Sequence, residues 1–164
     1  MGNKVKNIIC VLGSPRKNGN SATLADEVKN GALSVGAKVD DWFLQDMRIL
    51  PCTGCGSCKE PGARGCAIND DMGPLYQKLE DADGFIFASP VYWAGVSAQF
   101  KTFLDRCYAA SSFEPFHTPF TGKKAAVALA FGGPDVVESC GVDVIRMMKD
   151  IFEFVKCKIG RAHV

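Results

Sequence analysis

The segment Pro51-Cys52-Thr53-Gly54-Cys55-Gly56-Ser57-Cys58, followed by Cys66, puts four of the chain's eight cysteines in the pattern C-x2-C-x2-C-x7-C. Cysteines two residues apart on a glycine-rich turn can aim their sulfurs at one centre. A cage of thiolates suits an iron–sulfur cluster or zinc. Cys52, Cys55, Cys58 and Cys66 supply the four ligands of a cubane, and Gly54, Gly56 and Gly65 let the chain bend round it. Structural zinc would use the same thiolates, although its commoner pattern is two separated pairs. Free thiols, or a redox disulfide between Cys52 and Cys55, are the remaining readings of these residues.

A second segment, Gly13-Ser14-Pro15-Arg16-Lys17-Asn18-Gly19-Asn20-Ser21, follows an apolar run and precedes a helical pattern. Glycines let backbone approach an anion, and a helix start offers unpaired N–H groups and a positive dipole. Ser14, Ser21 and Thr23 add hydroxyls, Asn18 and Asn20 add amides, and Arg16 adds charge. The spacing is not G-x-x-x-x-G-K-[ST], because Asn20 stands where the lysine would be, nor is it G-x-G-x-x-G. A single terminal phosphate fits better than a nucleoside triphosphate or a dinucleotide.

Apolar runs alternate with helical-period segments, the pattern of an α/β chain with a parallel sheet. Strands are predicted at 5–12, 38–44, 84–88 and 125–131, with a short fifth beginning near Cys157 and Lys158. A helix over 21–35 would bury Leu24, Val28, Ala32 and Val35, ending at Gly36. Another, capped by Asp70 or Asp71, would bury Met72, Leu75, Leu79 and Ala82. A third carries Phe100, Phe103, Leu104, Cys107 and Tyr108; a fourth, over 135–156, carries Val137, Cys140, Val144, Met147, Ile151 and Val155. The loops beginning at Gly13, Pro51, Ser89 and Gly132 all leave carboxyl ends of strands, so they are expected on one sheet edge, where such folds bind ligands. Aromatic faces and exposed amides in Pro90-Val91-Tyr92-Trp93-Ala94-Gly95 suit a flat heterocycle, unless Tyr92 and Trp93 pack under the loop.

Gly13-Ser14-Pro15-Arg16, Gly19-Asn20-Ser21, and Ser89-Pro90-Val91-Tyr92-Trp93 with Ser97, Phe100, Lys101 and Asp105-Arg106 together resemble the flavodoxin-like NAD(P)H-dependent FMN reductases over nearly the whole chain. The cysteine run resembles the iron–sulfur flavoprotein branch of that group. The resemblance implies FMN phosphate contacts at Ser14, Arg16, Asn18, Asn20, Ser21, Ala22 and Thr23. It implies flavin-ring contacts at Pro90, Val91, Tyr92, Trp93 and Gly95, with Gly132 and Gly133 nearby. A [4Fe-4S] cluster at Cys52, Cys55, Cys58 and Cys66 would share that sheet edge and exchange electrons with flavin in the same or a neighbouring subunit. The expected fold is a three-layer α/β/α sandwich, flavodoxin-like, with a five-stranded parallel sheet ordered 2-1-3-4-5. It forms one domain over 1–164, with the cysteine-rich loop 51–66 inserted after the second strand.

The function expected is that of an FMN-dependent oxidoreductase and electron-transfer iron–sulfur flavoprotein, with NAD(P)H as a co-substrate and small molecules or proteins as redox partners. Flavin carries the chemistry, so no side chain need act as nucleophile or general acid. The alternatives are an NAD(P)H-dependent FMN or quinone reductase without a cluster, a non-enzymatic flavodoxin-like electron carrier, and a flavin-free module held by zinc.

Bulk properties agree and narrow the field. A chain of 164 residues with 47% hydrophobic and 23% charged content can bury one core. A net charge of +1 gives no electrostatic footprint for nucleic acid or anionic membrane. The N-terminal apolar run is too short for a secretory signal or a span, which points to the cytoplasm, where cysteines are seldom paired. Cys10, Cys107, Cys140 and Cys157 read as structural. His117 and His163 lie in no ligand or triad spacing, and Phe113, Phe116 and Phe120 read as anchors for a connector over 111–122. A further helix beyond the fifth strand is expected to cover one sheet face. The surface left without it points to a homo-oligomer, dimer or tetramer, or to a shortened chain.

Overall fold

The computed structural model describes residues 5–63 and 65–160. Residues 161–164, with His163 and the end of the predicted fifth strand, lie outside the described residues. The continuous apolar runs become the two central strands. β1 (Asn7–Leu12) and β3 (Gly84–Tyr92) lie side by side and parallel, with Cys10 opposite Ile86. β2 (Lys38–Phe43), interrupted by Asp40 and Asp41, is the edge beyond β1. On the other side β3 pairs with β7 (Lys124–Ala130), and β7 with the two-residue β8 (Lys158–Ile159). The parallel order β2-β1-β3-β7-β8 is the predicted 2-1-3-4-5, and the fold is flavodoxin-like.

Side chains alternate across the sheet. Ile9, Val11, Phe85, Phe87 and Ala125 enter a large core under α2 (Met72–Asp81), α3 (Ala98–Arg106) and α4 (Gly141–Phe154). Phe87 is central there, stacked on Phe152 and edge-on to Phe100 and Phe120. Cys10, Leu12, Ile86, Ala88 and Ala128 form a smaller core with Ala25 of α1 (Asn20–Ser34), which lies on the opposite face.

Two helices turn differently from their predicted stripes. α1 buries Ser21, Ala22 and Ala25, while Leu24 and Val28 are partly exposed and Val35 is 83% exposed. The sheet beneath it offers Ala88 and Ala128, so small residues bring the backbone close and larger ones are pushed aside. α4 begins at Gly141 rather than 135, because Asp135 Oδ1 accepts from the amides of Val137 and Glu138 and Cys140 takes φ +55°. The helix then buries Val144, Met148 and Phe152, leaving Val137 exposed and Met147 half-buried.

Past Ala88, where a loop was expected, β3 continues to Tyr92 and folds back antiparallel as β4 (Gly95–Val96). Trp93 and Ala94, at the turn, both have positive φ (48° and 57°), the twist of a tight two-residue hairpin. The connector also holds a small hairpin, β5 (Ser112–Phe113) with β6 (Phe116–His117). Phe120 anchors it in the core, Phe116 is half-buried and Phe113 is exposed; His117 Nε2 lies 3.0 Å from Glu80.

Candidate functional site

The phosphate-type loop leaves β1 and is tied to its neighbours by short bonds. The Gly13 amide donates to Ala88 O at 2.8 Å, and Ser97 Oγ donates to Gly13 O at 2.5 Å. Ser97 also caps α3 by accepting from the Phe100 amide, and its own amide donates to Ser89 Oγ. These contacts lock the loop to the end of β3. Ser14 and Ser21 are buried; Arg16, Asn18, Asn20 and Thr23 are exposed around them. Ser14 Oγ accepts from the Arg16 amide at 3.0 Å, which curls the loop. Among the described residues no side chain caps α1, and no acidic residue stands in its first turn. The helix start thus offers its dipole to an anion.

The β3–β4 hairpin stands on the same sheet edge. Pro90 is buried, Val91 and Gly95 are half-buried, and Tyr92 is 43% exposed. Trp93 is fully exposed at the tip, so it does not pack under the loop. Gly132 and Gly133 follow β7 on this edge and are exposed.

The cysteine segment takes a different path. It leaves β2 at the same edge, but residues 44–51 run along α3. Gln99 Nε2 donates to Gln45 Oε1 at 2.6 Å near the helix start. A cavity of about 300 Å³ lined by Met47, Ile49, Pro51, Gln99 and Thr102 follows. Arg106 Nη1 then donates to Leu50 O at 2.7 Å at the helix end. The cysteines therefore sit beside the C-terminal end of α3, the end opposite Ser97. Nine residues of helix make that offset about 13 Å at 1.5 Å per residue.

There Cys52, Cys55, Cys58 and Cys66 all line one cavity of about 260 Å³, with Asp105, Arg106 and Tyr108. Gly54 and Gly56 take positive φ (67° and 76°), and these turns wrap the loop around the cavity. Among the described residues, no group of three or more His, Cys, Asp or Glu is closed up as a metal-holding set. The donor type, number and common cavity nevertheless fit a thiolate-bound cluster. All eight cysteines are unpaired. Hydrogen bonds from Ser57 (side chain and backbone) and from Thr53 hold the Cys55 thiol below its ordinary pKa. Cys66 Sγ accepts from the Ile68 amide at 3.5 Å.

The neck of this loop is closed by residues assigned other roles from sequence. Asp70, read as a helix cap, does accept from the Met72 amide, but it also binds Arg106 through both carboxylate oxygens, 2.5 and 3.0 Å from Nη1 and Nη2. Both side chains are fully buried. Lys59 Nζ donates to the carbonyls of Tyr108 and Ser111 and lies 4.3 Å from the Tyr108 ring centre. A sequence signal existed for Arg106. It falls three residues after Phe103 on the buried stripe of α3, where a guanidinium needs a buried acid.

Comparison with known proteins agrees with this geometry. The family model for NADPH-dependent FMN reductase matches residues 7–156. An iron–sulfur flavoprotein of Methanocaldococcus jannaschii is 42% identical over 99 residues, 60% of this chain and 50% of that protein. One from Archaeoglobus fulgidus is 36% identical over 126 residues, 77% of this chain and 62% of that protein. The chain thus spans about half the length of the first curated relatives it matches. Among solved structures, the NAD(P)H:quinone oxidoreductase from Methanothermobacter marburgensis has the same fold, with TM-score 0.72, 17% identity and coverage of 95% of this chain and 84% of that one. A phosphate-type loop on a doubly wound sheet is thus joined by a family match across almost the whole chain: the chain belongs to the NADPH-dependent FMN reductase family.

Proposed function

We propose that the chain binds FMN at the phosphate-type loop and the β3–β4 hairpin, binds an iron–sulfur cluster at Cys52, Cys55, Cys58 and Cys66, and acts as an FMN-dependent oxidoreductase. The observation that carries this reading is the Gly13–Ser97–Ser89 lock, which holds an uncapped helix start beside the exposed hairpin. Ser14, Ser21, Ala22 and the α1 amides hold the phosphate, with Arg16, Asn18, Asn20 and Thr23 around it. Pro90, Val91, Tyr92, Trp93 and Gly95 flank the isoalloxazine, near Gly132 and Gly133. FMN, when bound, supplies two-electron chemistry with NAD(P)H and one-electron chemistry with the cluster.

The helix-long offset within one chain favours exchange between a flavin of one subunit and a cluster of another. Leu24, Val28 and Leu33, exposed on α1, with exposed Val35 just past its end, support a homo-oligomer. Eight unpaired cysteines suit a reducing compartment such as the cytoplasm. No helix among the described residues is long and apolar enough to cross a membrane. The test is anaerobic purification with an absorption spectrum and assays for flavin, iron and acid-labile sulfide. All three together support the two-centre reading. Flavin without iron leaves a simple NAD(P)H-dependent FMN or quinone reductase, and a colourless protein with no affinity for FMN overturns the assignment.

A further inference from the structure

Arg106 is buried to 1% exposure, yet its donors are unevenly used. Nη1 donates to Asp70 Oδ2 and to Leu50 O, and Nη2 donates to Asp70 Oδ1. Nε has no hydrogen-bond partner among the described residues. A buried, unsatisfied donor on a cation is costly, and native structures seldom leave one without a reason. The reason is available next to it, because Arg106 lines the cavity that the four cysteines share. The Tyr76 hydroxyl donates to Arg106 O at 3.1 Å, and Arg106 and Cys66 line the same cavity.

Asp70 is used up in this arrangement. Besides Arg106 it accepts from the Leu50 and Met72 amides, so its charge stays behind the guanidinium, away from the cavity. The pair has no net charge, but of its two members it is the positive one that lines the cavity of the sulfurs. Reducing a tetrathiolate cluster adds negative charge, and hydrogen bonds to its sulfurs raise its potential.

We infer that Arg106 is a tuning residue of the cysteine site: its free Nε–H donates to a sulfur of the bound cluster and stabilises the reduced form. This rests on the cluster reading proposed above. No bond is made or broken and no proton moves; the arginine stays protonated in both redox states.

The experiment is pulsed EPR on the reduced, cluster-loaded protein carrying ¹⁵N-arginine. The expected result is a ¹⁵N coupling that is kept in R64K, which alters the one arginine lying between Cys58 and Cys66 in sequence, and lost in R106K. R106K retains a cation for Asp70 but has no Nε–H. Its cluster potential is expected to fall by a tenfold change in the one-electron equilibrium, about 59 mV. A reduced cluster without ¹⁵N coupling in the wild type, or a loaded R106K with unchanged potential, overturns the inference and leaves the cluster reading standing. Absence of iron and of any cluster signal overturns both. If R106K does not fold, the wild-type and R64K spectra still decide.

Discussion

Ser97 Oγ reaches 84 residues back along the chain to donate to Gly13 O, and both residues are buried. One hydroxyl thereby serves two elements, because the same oxygen accepts from the Phe100 amide at the start of α3. Ser97→Ala leaves a buried carbonyl and a helix-start amide unpaired, at a cost of about 1–3 kcal/mol. The expected result is a lower urea midpoint with an unchanged m-value, together with weaker FMN binding. Ser97→Thr, which keeps the hydroxyl, should restore most of both. A Ser97→Ala protein as stable as the wild type would show that the bond is incidental.

Gly13 is demanded by space rather than by backbone conformation. A Cβ there would lie 2.7 Å from Phe100 Cβ and 3.1 Å from Ser97 Oγ. Gly13→Ala should push the loop away from α3 and weaken FMN binding at least tenfold, roughly 1.4 kcal/mol. Quenching of FMN fluorescence on titration reads this directly. An unchanged affinity would mean that the loop does not hold the phosphate.

The Asp70–Arg106 pair makes stability depend on pH with a definite sign. Burial opposes ionisation of Asp70, but bonds from Arg106 and from the Leu50 and Met72 amides outweigh it and hold the carboxyl below its ordinary range. A depressed folded pKa contributes stability that is complete above the unfolded value of about 3.9 and lost as pH falls through the folded value. Melting temperature should therefore drop steeply below about pH 4 in the wild type. Asp70→Asn should cost about 3–5 kcal/mol at neutral pH, because it strands a buried guanidinium, and should flatten the acid limb. Equal acid limbs in the two proteins would rule out Asp70 as their source.

What the sequence disclosed depended on how local the cause was. β1 and β3 are buried on both faces, so their apolar runs were unbroken and their places in the sheet legible. The cysteine spacing needed no fold to be noticed. The hairpin after β3 was hidden because its turn uses Trp93 and Ala94 at positive φ, where glycine or asparagine would have announced it. The face of α1 was misjudged because the sheet under it presents Ala88 and Ala128, a property of other segments. The path of the cysteine loop is set by bonds between Gln45 and Gln99 and between Leu50, Asp70 and Arg106, all distant in sequence. The resemblance quoted Arg106, but only the packed structure shows it clamping both ends of the loop.

Thiol reactivity separates three buried cysteines from the four of the loop and reports on loading. Burial pushes Cys10 up to about 12, with the charge of Asp41 adding to it, and pushes Cys157 up to about 11. Burial likewise raises Cys107. Thiolate is the reactive form, so at pH 8 these three should resist alkylation until the protein unfolds. In metal-free protein, exposed Cys55 should be labelled first because its pKa is lowered, with exposed Cys52 and half-buried Cys58 and Cys66 also open to reagent. Iodoacetamide labelling of native protein, read by peptide mass spectrometry, should show that order. After anaerobic reconstitution with iron and sulfide, the four loop cysteines should become protected together while the buried three are unaffected. Loop cysteines that label at the same rate before and after reconstitution would mean that they hold no cluster. Rapid labelling of Cys10 in the native state would mean that α1 does not cover the sheet as described.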